Sequence, residues 1–207
     1  MRNVGVLISG RGSNLQALMD AVADGSLTAR IAVVISNRAE AAGLERAHSA
    51  GIETLLIDHK GFPDRLEFDR AVAAALRARS VEVVCFAGFM RLVGAPLLDA
   101  FPNAILNVHP SLLPAFPGVD AQRQALEHGV KVSGATVHLV TSELDDGPII
   151  VQAAVPVRDD DTTDTLSARI LIEEHRIYPQ AVRIVLDGGW QVRGRRFISG
   201  PRRSATG

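Results

Sequence analysis

The sequence predicts an α/β fold in which a mostly parallel sheet carries helices on both faces. Three observations lead there. Short β-rich runs alternate with helical patterns as far as residue 128, the rhythm of βα repeats that build parallel sheets. The longest apolar runs are strand-sized. After residue 128 the rhythm changes, and two strand patterns follow each other with no helix between them.

The elements follow in order. Val4–Ile8 reads as a strand and Asn14–Asp24 as a helix. Ile31–Ile35 is a second strand and Ala39–Ser49 a second helix. Thr54–Ile57 is a strand, Arg65–Arg79 a long amphipathic helix, and Val81–Ala87 another strand. A short helical piece near Ala95–Ala100 precedes the strand Ala104–Val108, and Ala121–His128 is helical. Ala135–Val140 and Ile149–Val157 are strands joined by the polar segment Thr141–Gly147, which is too short for a crossover helix, so they pair antiparallel. Thr163–Leu186 is the last long helix. The stretch Val192–Gly207 carries Arg193, Arg195, Arg196, Arg202 and Arg203 among Gly and Ser, and reads as a solvated tail.

Composition narrows the function. The chain has 207 residues, 47% hydrophobic and 22% charged, which suits one good-sized domain or two lobes sharing a core. A net charge of -1 gives no reason to expect nucleic acid or a membrane surface as partner. One cysteine, Cys85, excludes an intramolecular disulfide and suits a reducing cytosol. It lies in the apolar run Val83–Ala87, where packing filler is a better reading than nucleophile. No signal pattern opens the chain, and no apolar run approaches the roughly 20 residues that span a bilayer. The expectation is a soluble cytoplasmic protein.

The stretch Asn107-Val108-His109-Pro110-Ser111-Leu112-Leu113-Pro114 is the most informative. Residues i and i+2 of a strand share a face, so Asn107 and His109 point into one site as the chain leaves the sheet. Pro110 and Pro114 stiffen the exit. A neutral hydrogen-bond donor beside a titratable imidazole suits stabilising an oxyanion while a proton moves. The competing reading is a core Asn and a hydrogen-bonded His at a strand end.

Ser9-Gly10-Arg11-Gly12-Ser13-Asn14 follows the first strand and opens the first helix. Glycines there admit a close ligand, and free N–H groups at a helix N-terminus favour a phosphate. Ser13 or Asn14 is a candidate helix cap. A dinucleotide fingerprint would need glycine at position 15, where Leu15 stands, and an acid after the second strand, where Ser36-Asn37 stands. Gly-Lys-Ser/Thr is absent. A smaller phosphate, such as a phosphosugar, remains; a tight turn with no ligand is the alternative.

Two pairs of acids stay open on these residues. Asp145 and Asp146 both lie in the turn Leu144–Pro148, where either can face His109 and raise its pKa, or both can merely form the turn. On the last helix, Leu166, Ile170 and Glu174 share one face at i, i+4, i+8, so an inward Glu174 is suited to a substrate amine. Glu173, four after Arg169, suits the exposed face. No metal-ligand spacing occurs, so no metal is expected. His138, in a strand, and His175, in a helix, are read as supporting or structural.

Together these segments resemble the phosphoribosylglycinamide formyltransferases, folate-dependent enzymes of purine biosynthesis within the formyltransferase superfamily. The matching stretches are Ser9–Ala17, Ala87–Arg91, Asn107–Pro114, Leu144–Ile149 and Glu174–Pro179, in order along nearly the whole chain. His-Pro-Ser-Leu-Leu-Pro is common to the superfamily, whereas the Gly-Ser-Asn loop with Glu174-His175 is more specific. The resemblance implies a three-layer Rossmann-like formyltransferase fold with antiparallel strands in the C-terminal half. It implies one domain over residues 1–190, with a phosphate-binding half (1–103) and a catalytic and folate-binding half (104–190). A short strand and basic tail over 191–207 would follow.

The same resemblance implies formyl transfer from 10-formyltetrahydrofolate, a co-substrate, to the amine of glycinamide ribonucleotide. Gly12, Ser13 and Asn14 would hold the ribonucleotide phosphate and Glu174 its amine. Asn107 and His109 would stabilise the oxyanion, with His109 also a proton donor and Asp145, rather than Asp146, tuning it. Folate contacts would come from Arg65, Met90, Arg91, Leu92, Val93, Asn107, Thr141, Ser142, Glu143, Leu144 and Asp145. The family's region after Leu-Leu-Pro is variable, so the stretch Ala115–Asp120 receives no phosphate contacts; Arg123 is an extra candidate for the phosphate. Partners would be small molecules, without nucleic acid or membrane, and the protein a monomer or homodimer.

Competing functions are a formyltetrahydrofolate hydrolase, another formyltransferase with the same centre, and a non-catalytic phosphosugar-binding module. The hydrolase family carries a further N-terminal domain, whereas here the core begins at Met1. A methionyl-tRNA formyltransferase would carry a further C-terminal domain and a basic surface. A binding module has no use for Asn107, His109 and Asp145 together.

Overall fold

The computed structural model describes residues 1–200. Its strands are β1 (Arg2–Ile8), β2 (Ala29–Ser36), β3 (Thr54–Leu56), β4 (Val83–Phe86), β5 (Ile105–His109), β6 (Val132–Leu139), β7 (Ile149–Pro156), β8 (Trp190–Arg193) and β9 (Arg196–Ser199). The helices are α1 (Ser13–Ala23), α2 (Ala42–Ser49), α3 (Arg65–Arg77), α4 (Ala95–Ala100), α5 (Ala121–Glu127) and α6 (Thr163–Asp187).

The strands form one nine-stranded sheet in the order β3-β2-β1-β4-β5-β6-β7-β9-β8. From β3 to β5 every pair is parallel. Then β6 runs antiparallel to β5. β7 runs antiparallel to β6, as the helix-free link between those two strand patterns predicts. The fold is therefore the expected α/β architecture, with its antiparallel strands in the C-terminal half.

Burial follows the pleat. Consecutive residues of β1 alternate faces, so Val6 and Ile8 pack with Leu15 and Leu18 of α1 and Ile170 and Ile177 of α6. Leu7 points the other way, into a second core with Phe68, Val72 and Leu76 of α3 and Leu97 of α4. Removing each such large side chain from water stabilises the fold by about 1.5–3 kcal/mol. Local signals agree with the packing. The Asp64 side chain caps α3 by accepting from Glu67 N–H, and Thr162 with Thr165 closes a capping box on α6. Cys85 is fully buried, which pushes its thiol up to about 12 and makes it inert packing.

Two boundaries differ from expectation for identifiable reasons. The helix expected from Ala39 begins at Ala42, because Gly43 N–H is drawn onto the carbonyl of Gly10 at 3.1 Å. Residues 190–199, read largely as solvated tail, form the β8–β9 hairpin on the sheet edge. Trp190 stacks on Phe197 with ring centroids 5.0 Å apart and donates to Val185 O, and both rings pack against the main core. Arg202 and Arg203 lie outside the described residues. No helix among the described residues is long and apolar enough to cross a membrane.

Candidate active site

The strand order reverses between β1 and β4, the point where α/β sheets open a crevice at their carboxyl ends. Three segments meet that edge: the glycine loop after β1, the segment after β4, and the end of β5. Neighbouring strands are about 4.8 Å apart, so the outer two of these lie about 10 Å from each other.

Asn107 and His109 occupy one face of β5, as their spacing predicts. Antiparallel register brings His138 opposite Asn107 and Thr136 opposite His109. Asn107 Nδ2 lies 3.3 Å from His138 Nε2, whose other nitrogen donates to Leu139 O at 2.9 Å. Thr136 ties down the loop after His109: its hydroxyl donates to Ser111 O and accepts from Leu113 N–H.

The carboxylate that faces His109 is Asp145. Its Oδ2 is 3.3 Å from His109 Nδ1 and its Oδ1 is 3.6 Å from His138 Nε2. Asp146 instead points outward and pairs with Arg195. Asp145 sits at φ 50 and also accepts from Gly118 N–H at 2.8 Å. Burial works to raise its pKa, but the adjacent His138 ring, the Gly118 N–H and the charge of His109 together hold it below the usual carboxylate range.

His109 Nε2 donates to Phe116 O at 2.8 Å, so Nδ1 carries a hydrogen only in the imidazolium form. Asp145 raises the pKa of His109, as expected, but it does not set the net direction. Burial is the largest influence and pushes it below the ordinary histidine value; the Phe116 carbonyl and Asp145 pull it back only in part, and His138 adds to the push. The backbone of Phe116 and Gly118 thus cradles both members of the pair. Nothing in Ala115–Asp120 signalled this, because backbone groups carry no sequence label. Arg123 is engaged by Asp120 and Glu127.

At the glycine loop, Gly12 adopts φ 73, and a Cβ there would sit 2.8 Å from Gly43 Cα. Glycine is needed for both reasons. Gly12 itself is the cap residue of α1 and no side chain caps the helix, which corrects the capping role expected of Ser13 or Asn14. The first helical bond is Gln16 N–H to Gly12 O, so the amides of Ser13, Asn14 and Leu15 have no partner within α1. Such a terminus favours an anion.

Asn14 turns inward instead, and its Nδ2 donates to Glu174 Oε2 at 2.7 Å. Glu174 is 7% exposed, on the face of α6 that holds Leu166 and Ile170. Burial pushes its carboxyl up, offset in part by Asn14. Asn14 Oδ1 is buried without a partner among the described residues. Glu173 faces outward and pairs with Arg176 rather than Arg169, which is held by Asp161.

The remaining candidates differ in exposure. Met90 and Leu92 are exposed, Val93 is buried and Arg91 half-buried above Phe68. Arg65 is exposed at the start of α3, beside the same segment. In the loop after β6, Ser142, Glu143 and Leu144 are exposed and Thr141 is half-buried. A hollow of about 290 Å³ lies beside Ser13 and is lined by Gln16, Asp20, His175 and Pro179 among others. A larger one of about 460 Å³ lies under the opposite end of β1 and β2, away from all these groups. Among the described residues no group of three or more His, Cys, Asp or Glu could hold a metal ion.

The chain is similar to known proteins over nearly its whole length. The formyl transferase family model matches residues 2–182. The crystal structure of glycinamide ribonucleotide transformylase 1 from Symbiobacterium toebii is 58% identical, with a TM-score of 0.95 over 97% of this chain and 95% of that one. Phosphoribosylglycinamide formyltransferase of Escherichia coli is 44% identical over 186 residues, covering 90% of this chain and 88% of that protein. The human trifunctional purine biosynthetic protein adenosine-3 is 49% identical over 91% of this chain, which spans only 19% of that protein's length. The chain belongs to the formyltransferase family and, within it, to the phosphoribosylglycinamide formyltransferases, which are one-carbon group transferases.

Proposed function

We propose that the chain transfers the formyl group of 10-formyltetrahydrofolate to the amine of glycinamide ribonucleotide. The observation that carries the reading is the shared sheet edge. A helix terminus fit for phosphate and the buried Asn14–Glu174 pair open onto the same crevice as Asn107, His109 and Asp145.

The ribonucleotide phosphate binds the amides of Gly12, Ser13 and Asn14. Glu174 accepts from the substrate amine and orients it as the neutral nucleophile. The amine nitrogen attacks the formyl carbon and forms a tetrahedral oxyanion. Asn107 Nδ2 donates to that oxygen, and so does His109 once Nε2 exchanges the Phe116 carbonyl for it. Asp145 favours the imidazolium that supplies this positive charge. Collapse breaks the bond to folate N10. The proton lost by the amine balances the one gained at N10, carried through His109 and Asp145. Arg65, the segment Met90–Val93 and the loop Thr141–Asp145 hold the folate; burying Met90, Leu92 and Leu144 against its flat rings contributes apolar binding. The chemistry calls for no metal. The partners are these two small molecules, with the protein acting as a monomer or homodimer in the cytoplasm.

The test is a direct assay of both substrates together. Transfer to the ribonucleotide is expected. Formate release that does not require the ribonucleotide would replace this reading with a hydrolase.

A further inference from the structure

The segment Met90–Gly94 follows β4 and ends as α4 begins, and it is fixed at both ends by side chains from other elements. Met90 N–H donates to Ser9 Oγ at 3.0 Å, and the same hydroxyl donates to Asn37 Oδ1 at 2.7 Å. Ser9 is 6% exposed and Asn37 3%. At the other end, Gly94 N–H donates to Asp69 Oδ2 at 2.6 Å. Asp69, on the inward face of α3, is 1% exposed. A buried carboxylate is costly unless it is held by donors or opposite charge. The Gly94 N–H holds Oδ2 and the charges of Arg65 and Arg91 act on the carboxylate, while Oδ1 is buried without a partner among the described residues.

The middle of the segment is divided between anchors and free side chains. Phe89 and Val93 are buried in the α3–α4 core, while Met90 is 65% and Leu92 52% exposed. The Arg91 guanidinium lies 5.1 Å from the centre of the Phe68 ring. A Cβ on Gly94 would sit 2.7 Å from Leu66 Cδ2 and 3.3 Å from Asp69 Oδ2, so α3 packs directly against the pinned end. Two apolar side chains are thus exposed on a segment pinned at both ends.

We propose that Ser9 and Asp69 are positioning residues that hold the two ends of Met90–Gly94 so that its exposed side chains form a preorganised wall for the folate rings. Preorganisation of this kind improves affinity by removing the cost of ordering the segment on binding. The proposal rests on the reading of the segment as a folate contact. Ser9 also begins the glycine loop, so it links the two loops.

The test compares Asp69→Ala, Asp69→Asn and Ser9→Ala with the parent, first without any substrate. Amide hydrogen exchange at Gly94 should accelerate about tenfold or more in Asp69→Ala, and at Met90 in Ser9→Ala, as expected for one lost bond. Asp69→Asn keeps an acceptor oxygen and should restore most of the protection at Gly94. In the formyl-transfer assay, KM for 10-formyltetrahydrofolate should rise about tenfold in both alanine variants. The ribonucleotide KM and kcat of Asp69→Ala should stay within about twofold of the parent. Unchanged exchange in both alanine variants would overturn the pins. Faster exchange with an unchanged folate KM would overturn the positioning role. Absence of transfer by the parent would instead count against the proposed function, and the exchange data would still decide whether the pins exist. Should Asp69→Ala not fold, Asp69→Asn with Ser9→Ala carries the same comparison.

Discussion

Asp145 Oδ2 lies 3.3 Å from His109 Nδ1, and both side chains are almost closed to solvent. The other imidazole nitrogen already donates to Phe116 O, so only the charged ring can offer a hydrogen to Asp145. Burial opposes that charge and Asp145 favours it. Asp145→Asn removes the counter-charge and leaves the shape. We expect kcat for formyl transfer to fall at least about a hundredfold. Asp146→Asn, which disturbs only the outward pair with Arg195, should change kcat by less than about threefold. Steady-state kinetics on both variants separates the two neighbouring acids.

Gly12 meets two demands that no other residue satisfies, a positive φ and contact with Gly43 Cα. Gly12→Ala should lower stability by about 1–3 kcal/mol. It should also raise the ribonucleotide KM more than the folate KM, because the amides it displaces are those at the start of α1. Urea unfolding and the two KM values check this.

Glu174 links stability to binding. Burial raises its pKa, so the folded protein keeps that proton to higher pH than the unfolded chain does. Its contribution to stability is full below the ordinary glutamate value of 4.5 and is lost as pH rises through the raised value. Glu174→Gln still accepts from Asn14 but has no charge to bury. Its Tm should exceed the parent's by a few degrees at pH 8 and match it near pH 4. Its ribonucleotide KM at pH 8 should rise about tenfold or more, since a charge-assisted bond to the amine is lost. Thermal scans at the two pH values, with kinetics at pH 8, test both signs.

Tyr178 is fully buried, and its hydroxyl reaches Phe86 O at 2.9 Å and Leu106 O at 3.1 Å, stitching α6 to β4 and β5. Tyr178→Phe removes both of these bonds and leaves the two carbonyls to their ladder partners in β4 and β5. The expected loss is about 1–2 kcal/mol of stability with kcat within about twofold. Chemical unfolding beside an activity assay distinguishes this from a catalytic effect.

What was legible in the sequence was periodic or local. The βα rhythm foretold the parallel strands, and the missing crossover helix foretold the turn from β6 to β7. The i, i+2 spacing of Asn107 and His109 and the i+4 spacing from Leu166 to Glu174 foretold which face each would occupy. What escaped was set by register and by backbone. His138 joins Asn107 because β6 lies antiparallel beside β5, and no local pattern states which strands become neighbours. Phe116 and Gly118 act through a carbonyl and an amide, which every residue has. The sign of the His109 shift escaped because burial is a property of the whole fold, and here it outweighs the one carboxylate that the sequence suggested.

The most direct measurement is formyl transfer from 10-formyltetrahydrofolate to glycinamide ribonucleotide by the parent and by His109→Ala, side by side. The account predicts ready transfer by the parent and a loss of about a hundredfold or more in the variant. Equal rates for the two proteins would contradict the role of the His109–Asp145 pair, and no transfer by the parent would contradict the reaction itself.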